Sequence, residues 1–200
     1  MPGARDLRTY PHERQGRIVR QLEVALRRID AVIRPHGVDA TIVAVDGLGG
    51  SGTSTLAALL AERLGAQVVH TDDFASWDNP LEWWPRLRDE VLVPLAAGRP
   101  ARFQRYDWES RELGDWQIVV PDELVVLEGV SSSRKEFCPY LSFAIWVEAA
   151  AETRLKRGLQ RDGSAAEDQW REWMRLEDEW VEAQHPNDVA DLVLDGEAPW

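Results

Sequence analysis

VDGLGGSGTST, Val45 to Thr55, is the stretch on which the fold turns. It follows the phosphate-loop pattern G-x-x-x-x-G-K-[ST], with Gly47, Gly52 and Ser54 in register and Thr53 in the lysine slot. The run before it, TIVAVDG (41–47), is β-branched and has the look of a buried strand. The run after it, TSTLAALLAERLGA, predicts a helix from about Ser54 to Leu64, closed by Gly65. A strand that enters a glycine-rich turn and then a helix is an anion site by geometry. Its backbone N–H groups point inward, and the helix N-terminus adds partial positive charge. Gly49, Gly50 and Gly52 let the loop, with Ser51, close around phosphate oxygens without a Cβ in the way. Ser54 and Thr55 add hydroxyls, Ser54 where such loops hold Mg²⁺. The competing reading is an ordinary tight strand–helix turn. Thr53 exchanges a point charge for a neutral hydroxyl, whose hydrogen bonds are about half as strong as charge-assisted ones. Binding is therefore expected to survive the exchange better than catalysis.

Outward from the loop, apolar runs alternate with helical patterns. Residues 13 to 34 place Ile18, Leu22, Ala25, Leu26, Ile29 and Ile33 at helical spacing opposite arginines. That predicts an amphipathic helix over about 13–36, ended by Pro35 and Gly37. AQVVHTDD (66–73) reads as a strand ending in two carboxylates. Residues 80 to 97 read as a helix between Pro80 and Gly98. ARFQRYDW (101–108) and DWQIVVP (115–121) form a hairpin or excursion, and ELVVLEG, SFAIWVE and ADLVLDG are further strands. Two charged helices, 150–161 and 166–184, flank RDGS. This alternation implies a parallel, three-layer α/β sheet, read as one domain over 1–200 with its core at 41–195. Such sheets bind ligands beyond the carboxyl ends of their strands. DGLGG, HTDD and LEG all fall there.

The bulk composition narrows the partners. A net charge of −12 over 200 residues disfavours nucleic acid and anionic membranes, yet leaves room for an anionic nucleotide at a local positive site. With Cys138 the single cysteine, neither an internal disulfide nor a cysteine zinc cluster forms. The start, MPGARDLRTYPHER, lacks the apolar core of a signal peptide, and no stretch approaches 18 apolar residues. A soluble, cytoplasmic protein is expected. Ten tryptophans are many for this length; Trp77, Trp83, Trp84 and Trp108 flank the segments of interest, as core packing or as a ligand wall.

Phosphoryl transfer to a hydroxyl needs a carboxylate at the nucleophile, a metal, and cations on the moving group. Asp72 and Glu128 end strands that should flank the loop strand. Strand-end acids also serve as turn caps, Asp73 more readily than Asp72. Glu128 before Gly129 could equally satisfy loop amides. Arg157 and Arg161 lie four apart on one helix face, ready to point at one ligand or, alternatively, to pair with Asp162 or Glu152.

From about Thr41 to Asp195 these motifs resemble the uridine kinase family of P-loop kinases, with its nicotinamide riboside kinase and phosphoribulokinase relatives. The resemblance makes Asp72 of HTDDF the general base. It sets WDNPLEWW (77–84) beside a family segment that places an acid on ribose hydroxyls. Leu81 stands in that slot, a departure, with Asp78 and Glu82 nearby. RYDW (105–108) is similar to the family's substrate segment, led by Tyr106; the histidine that usually follows is replaced near Arg111. LEGV supplies Glu128, a metal-site residue with Ser54. RLKRGLQRD resembles the arginine lid, about 152–168, with Arg154, Arg157 and Arg161. The family implies a P-loop NTPase fold with sheet order 2-3-1-4-5, ATP and Mg²⁺, and a small hydroxyl-bearing acceptor, foremost a nucleoside. Asp73, Trp77, Tyr106, Trp108 and Arg111 are the acceptor-binding candidates, the aromatic ones holding a planar ring. The alternative is a nucleotide-binding protein with weak or no kinase activity because of Thr53. A phosphate-loop hydrolase finds no water-positioning element to support it.

Overall fold

The computed structural model describes residues 12–33, 40–76, 79, 82–121 and 124–197. β1 (Ile42–Asp46), β2 (Gln67–His70), β5 (Val125–Glu128), β6 (Phe143–Glu148) and β7 (Leu192–Asp195) make one sheet. Its order is β2-β5-β1-β6-β7 and every pairing is parallel. Counting sheet strands alone, this is the expected 2-3-1-4-5. β1 and β5 are buried along their whole length, which is why they read as unbroken apolar runs rather than alternating ones.

Period-two alternation sends successive residues to two cores. Val43, Val45, Val126, Ile145 and Val147 meet α1 (His12–Asp30) and α2 (Thr53–Leu64), through Leu22, Ala25, Ile29, Leu56 and Leu60. Ile42, Val69, Val125 and Leu127 face the opposite layer, with Leu87, Val91, Leu95, Phe103 and Phe137. α1 stops at Asp30, so Ile33, placed by its spacing on the apolar stripe, lies past the helix and is 41% exposed. Gln21 of α1 also bonds both the N–H and the C=O of Asp195, covering the edge strand β7. Among the described residues no helix is long and apolar enough to cross a membrane.

The helix expected over 80–97 is described from Trp84 onward, as α3 (Trp84–Leu87), a π turn (Arg88–Leu92) and α4 (Val93–Ala96). Pro94 explains the widened turn: it has no N–H for the carbonyl four residues back, and its ring crowds that carbonyl. The excursion resolves as an antiparallel hairpin, β3 (Ala101–Asp107) with β4 (Glu112–Val119), whose register shifts between Gln104 and Tyr106. α5 (Ala151–Asp162), α6 (Glu167–Gln184) and α7 (Pro186–Val189) follow β6. α6 turns Trp170 and Trp180 inward, Trp180 lying 6.4 Å from the Trp146 ring.

Candidate active site

The phosphate loop joins β1 to α2 as its pattern predicts. Gly50 (φ 82°) and Gly52 (φ 111°) adopt left-handed conformations that a side chain would strain. Gly52 caps α2, and no side chain caps the first turn, so amides of that turn face outward for an anion. Asp46, which sequence reading passed over, anchors the loop. Its carboxylate accepts the N–H groups of Gly47 (2.7 Å), Ser131 (2.9 Å) and Ser133 (2.7 Å) and the Ser133 hydroxyl (2.7 Å). Complete burial raises its pKa to about 6 against those hydrogen bonds.

Glu128 is the hub of the site. It is 5% exposed and accepts three donors: Thr53 Oγ1 (2.9 Å), Ser54 Oγ (2.8 Å) and His70 Nδ1 (2.6 Å). The Thr53 hydroxyl therefore bonds a strand-end carboxylate of the sheet. His70 was not singled out from the sequence; its strand register opposite Glu128 brings it there. The hydrogen bond to Glu128 raises the His70 pKa, with burial opposing. Ser54 and Glu128 offer a hydroxyl and a carboxylate oxygen side by side, a hard-oxygen pair that fits Mg²⁺ when phosphates supply its other ligands. Among the described residues no three His, Cys, Asp or Glu side chains cluster as a metal cage.

Asp72 and Asp73 sit on the 3₁₀ turn Thr71–Asp73 that ends β2. Asp72 is exposed at its surface, with enough protein around its carboxylate to strip away part of its water. Loss of surrounding water, and then the Glu128 charge, raise its pKa, while His70 and Arg161 hold it down. Asp73 is buried and bonds Arg105 Nε at 2.9 Å, so it ties the hairpin to the strand end. Trp108 donates from Nε1 to the Asp72 carbonyl (3.2 Å). Its ring meets Tyr106 edge-on at 5.2 Å and Trp173 of α6 at 6.2 Å. Trp173 thus joins the two aromatic residues read from the sequence, although it lies far along the chain in a charged helix. Arg111 occupies the hairpin turn with φ 60°, its N–H bonded to the Asp107 carbonyl at 2.8 Å. Trp77, Asp78 and Leu81 lie outside the described residues.

Arg157 and Arg161 do not converge on one point, and for Arg161 the alternative reading, pairing with Asp162, is the one the structure shows. Arg157 donates to the carbonyls of Gly50 (3.0 Å), Ser51 (3.2 Å) and Glu197 (3.1 Å). Arg161 takes its sequence neighbour Asp162 (2.8 and 3.0 Å) and lies 5.4 Å over the Trp170 ring. Long side chains four apart are free to follow different nearby acceptors. The Arg161 charge is still near enough to Asp72 to lower that acid's pKa. Arg154 is buried against Glu177 (3.0 Å).

No protein-family model and no curated protein sequence matches the chain. Solved structures do. A possible uridine kinase from Bacillus stearothermophilus has a TM-score of 0.66 at 22% identity, over 89% of this chain and 99% of that one. A candidate fructose transport system kinase from Silicibacter has a TM-score of 0.67 at 18% identity, over 86% and 98%. A D-glycerate 3-kinase from Cryptococcus neoformans has a TM-score of 0.52 at 11% identity, over 82% and 86%. At these identities the likeness is one of fold: a five-stranded all-parallel α/β sheet of the P-loop kinase type, carrying its glycine loop after the central strand.

Proposed function

We propose that the chain transfers the γ-phosphoryl group of ATP to a hydroxyl of a small molecule, foremost a nucleoside. The observation that carries this reading is Asp72 on the turn that ends β2, within electrostatic reach of Glu128, the carboxylate that Ser54 of the phosphate loop bonds at 2.8 Å. In the proposed reaction the acceptor oxygen attacks the γ-phosphorus and its proton passes to Asp72. The bond from that phosphorus to the bridging oxygen breaks, and ADP leaves. Desolvation makes Asp72 a stronger base than a free aspartate, which suits proton abstraction from a hydroxyl. The loop amides hold the phosphates, and Arg161 provides charge near Asp72. Ser54 and Glu128 would hold Mg²⁺, which neutralises phosphate charge when bound. Tyr106, Trp108 and Trp173 form an aromatic wall beside Asp72, suited to a planar ring, and stacking of a base contributes about 1–3 kcal/mol. The neighbours of similar fold are named for a nucleoside, a sugar and glycerate, all hydroxyl-bearing small molecules.

A second reading, nucleotide binding without turnover, draws on two contacts: Thr53 bonds Glu128, and Arg157 bonds loop carbonyls. One experiment separates them. ATP and GTP are screened for turnover against nucleosides, sugars and hydroxy acids, with Asp72→Asn as control. The kinase reading expects turnover with one acceptor class. It also expects Asp72→Asn to lower turnover by about a hundredfold or more while ADP still binds. ADP binding without any turnover selects the second reading.

A further inference from the structure

Glu177 is a buried acid that the proposed chemistry does not use. It lies on α6 and is 2% exposed. Its Oε1 accepts the backbone N–H of Gly49 (3.0 Å), and its Oε2 accepts Arg154 NH1 (3.0 Å). Arg154, 4% exposed, comes from α5, and its backbone lies so close to Gly50 that a Cβ there would stand 2.6 Å from the Arg154 carbonyl. A Cβ on Gly49 would stand 2.9 Å from Glu177 Oε1 and 3.3 Å from the Trp170 ring. Two glycines of the phosphate loop are therefore packed directly against α5 and α6.

A buried ion pair is weak evidence for stability, because burying two charges costs more than a well-packed apolar pair would. This one also leaves Arg154 Nε buried with no partner. What it does achieve is a fixed acceptor for a loop amide that has no partner within the loop's own turn. We infer that Glu177 is a positioning residue for the phosphate loop, holding its crown through the Gly49 N–H and against α5 through Arg154. The effect of Glu177 on ligand affinity rests on the phosphate reading of that loop; its hold on the loop does not.

Two variants test this. Glu177→Gln keeps an oxygen for Gly49 and removes the charge. Glu177→Leu combined with Arg154→Met replaces the whole pair by apolar groups of similar size, which buried pairs often tolerate without loss of folding. Hydrogen exchange of the Gly49 amide, exchange of the β1 and β5 amides, and ADP affinity by calorimetry are measured in each. The double variant should speed Gly49 exchange and weaken ADP binding by about tenfold each, with β1 and β5 unchanged. Glu177→Gln should stay within about threefold of the parent protein in both. Unchanged Gly49 exchange in the double variant, or faster exchange with unchanged ADP affinity, overturns the inference. If the parent protein binds neither ADP nor pyrophosphate, the phosphate reading fails instead, and Gly49 exchange alone then decides whether Glu177 holds the loop.

Discussion

At the scale of single residues, the lysine slot of the loop is where pattern and structure meet. Thr53 does more than lack a charge. Its hydroxyl joins Ser54 and His70 on Glu128, so one buried carboxylate gathers the first turn of α2 and the end of β2. A lysine at position 53 would bring an ammonium within reach of both Glu128 and any phosphate in the loop. Thr53→Lys is expected to tighten ATP binding or raise kcat, the gain being a charge-assisted hydrogen bond on the order of 1.5–3 kcal/mol. Calorimetry and turnover of the variant beside the parent protein check this. An unchanged variant would mean that Thr53 is the working residue of this loop. The slot itself was legible from spacing alone, since Gly47, Gly52 and Ser54 count off the pattern. The partner of Thr53 was not, because nothing near position 53 in the chain specifies a carboxylate 75 residues away.

At the scale of elements, the helical pair α5 and α6 closes on the loop through small residues. Trp170 sits on Gly158, where a Cβ would stand 2.4 to 2.6 Å from the indole ring. Gly158→Ala therefore overfills the contact. Alanine favours a helix interior over glycine by about 1 kcal/mol, but forcing a methyl into a packed ring typically costs about 1–3 kcal/mol. The variant should show a net loss of stability in urea titration, with the indole displaced from Gly49. A stability gain instead would mean that Trp170 moves aside freely. Element boundaries show the same division of information. α2 and the strands lie where their patterns put them, but the π turn before Pro94 depends on how a proline in a helix is relieved. Glu197, from the segment after β7, accepts the Thr153 hydroxyl (2.8 Å) near the start of α5, a contact set by the docking of chain segments far apart in sequence.

At the scale of the whole molecule, two buried acids couple stability to pH. Burial raises Asp46 from 3.8 to about 6 and Glu177 from 4.5 to about 7. In those windows the folded state keeps protons that the unfolded chain has released, so each acid makes stability fall as pH rises. The loss for Asp46 is complete above about 6, and for Glu177 above about 7. Thermal melts of Glu177→Gln and of Asp46→Asn beside the parent protein isolate each contribution. Relative to the parent, each variant should gain stability across its own window and run parallel to it above. A difference that does not change with pH would mean that the group is ionised in both states throughout.

The chain by itself determined the layers and the placement of the ligand end. Unbroken apolar runs, helical periodicity and glycine spacing are set by neighbours a few residues apart, so they can be read along the chain. That was enough for a parallel α/β sheet with DGLGG, HTDD and LEG at one end, and the family likeness supplied the strand order. The tertiary structure alone decided how the polar side chains are shared. Asp46 accepts from Ser133, His70 donates to Glu128, Glu177 takes the amide of a residue 128 positions away, and Trp173 meets Trp108. Glu177 stands among the acids of EDQWREWMRLEDEW (167–180), where any of them could face water. A charged side chain carries no mark of its partner until packing strips away the solvent and leaves one donor within reach.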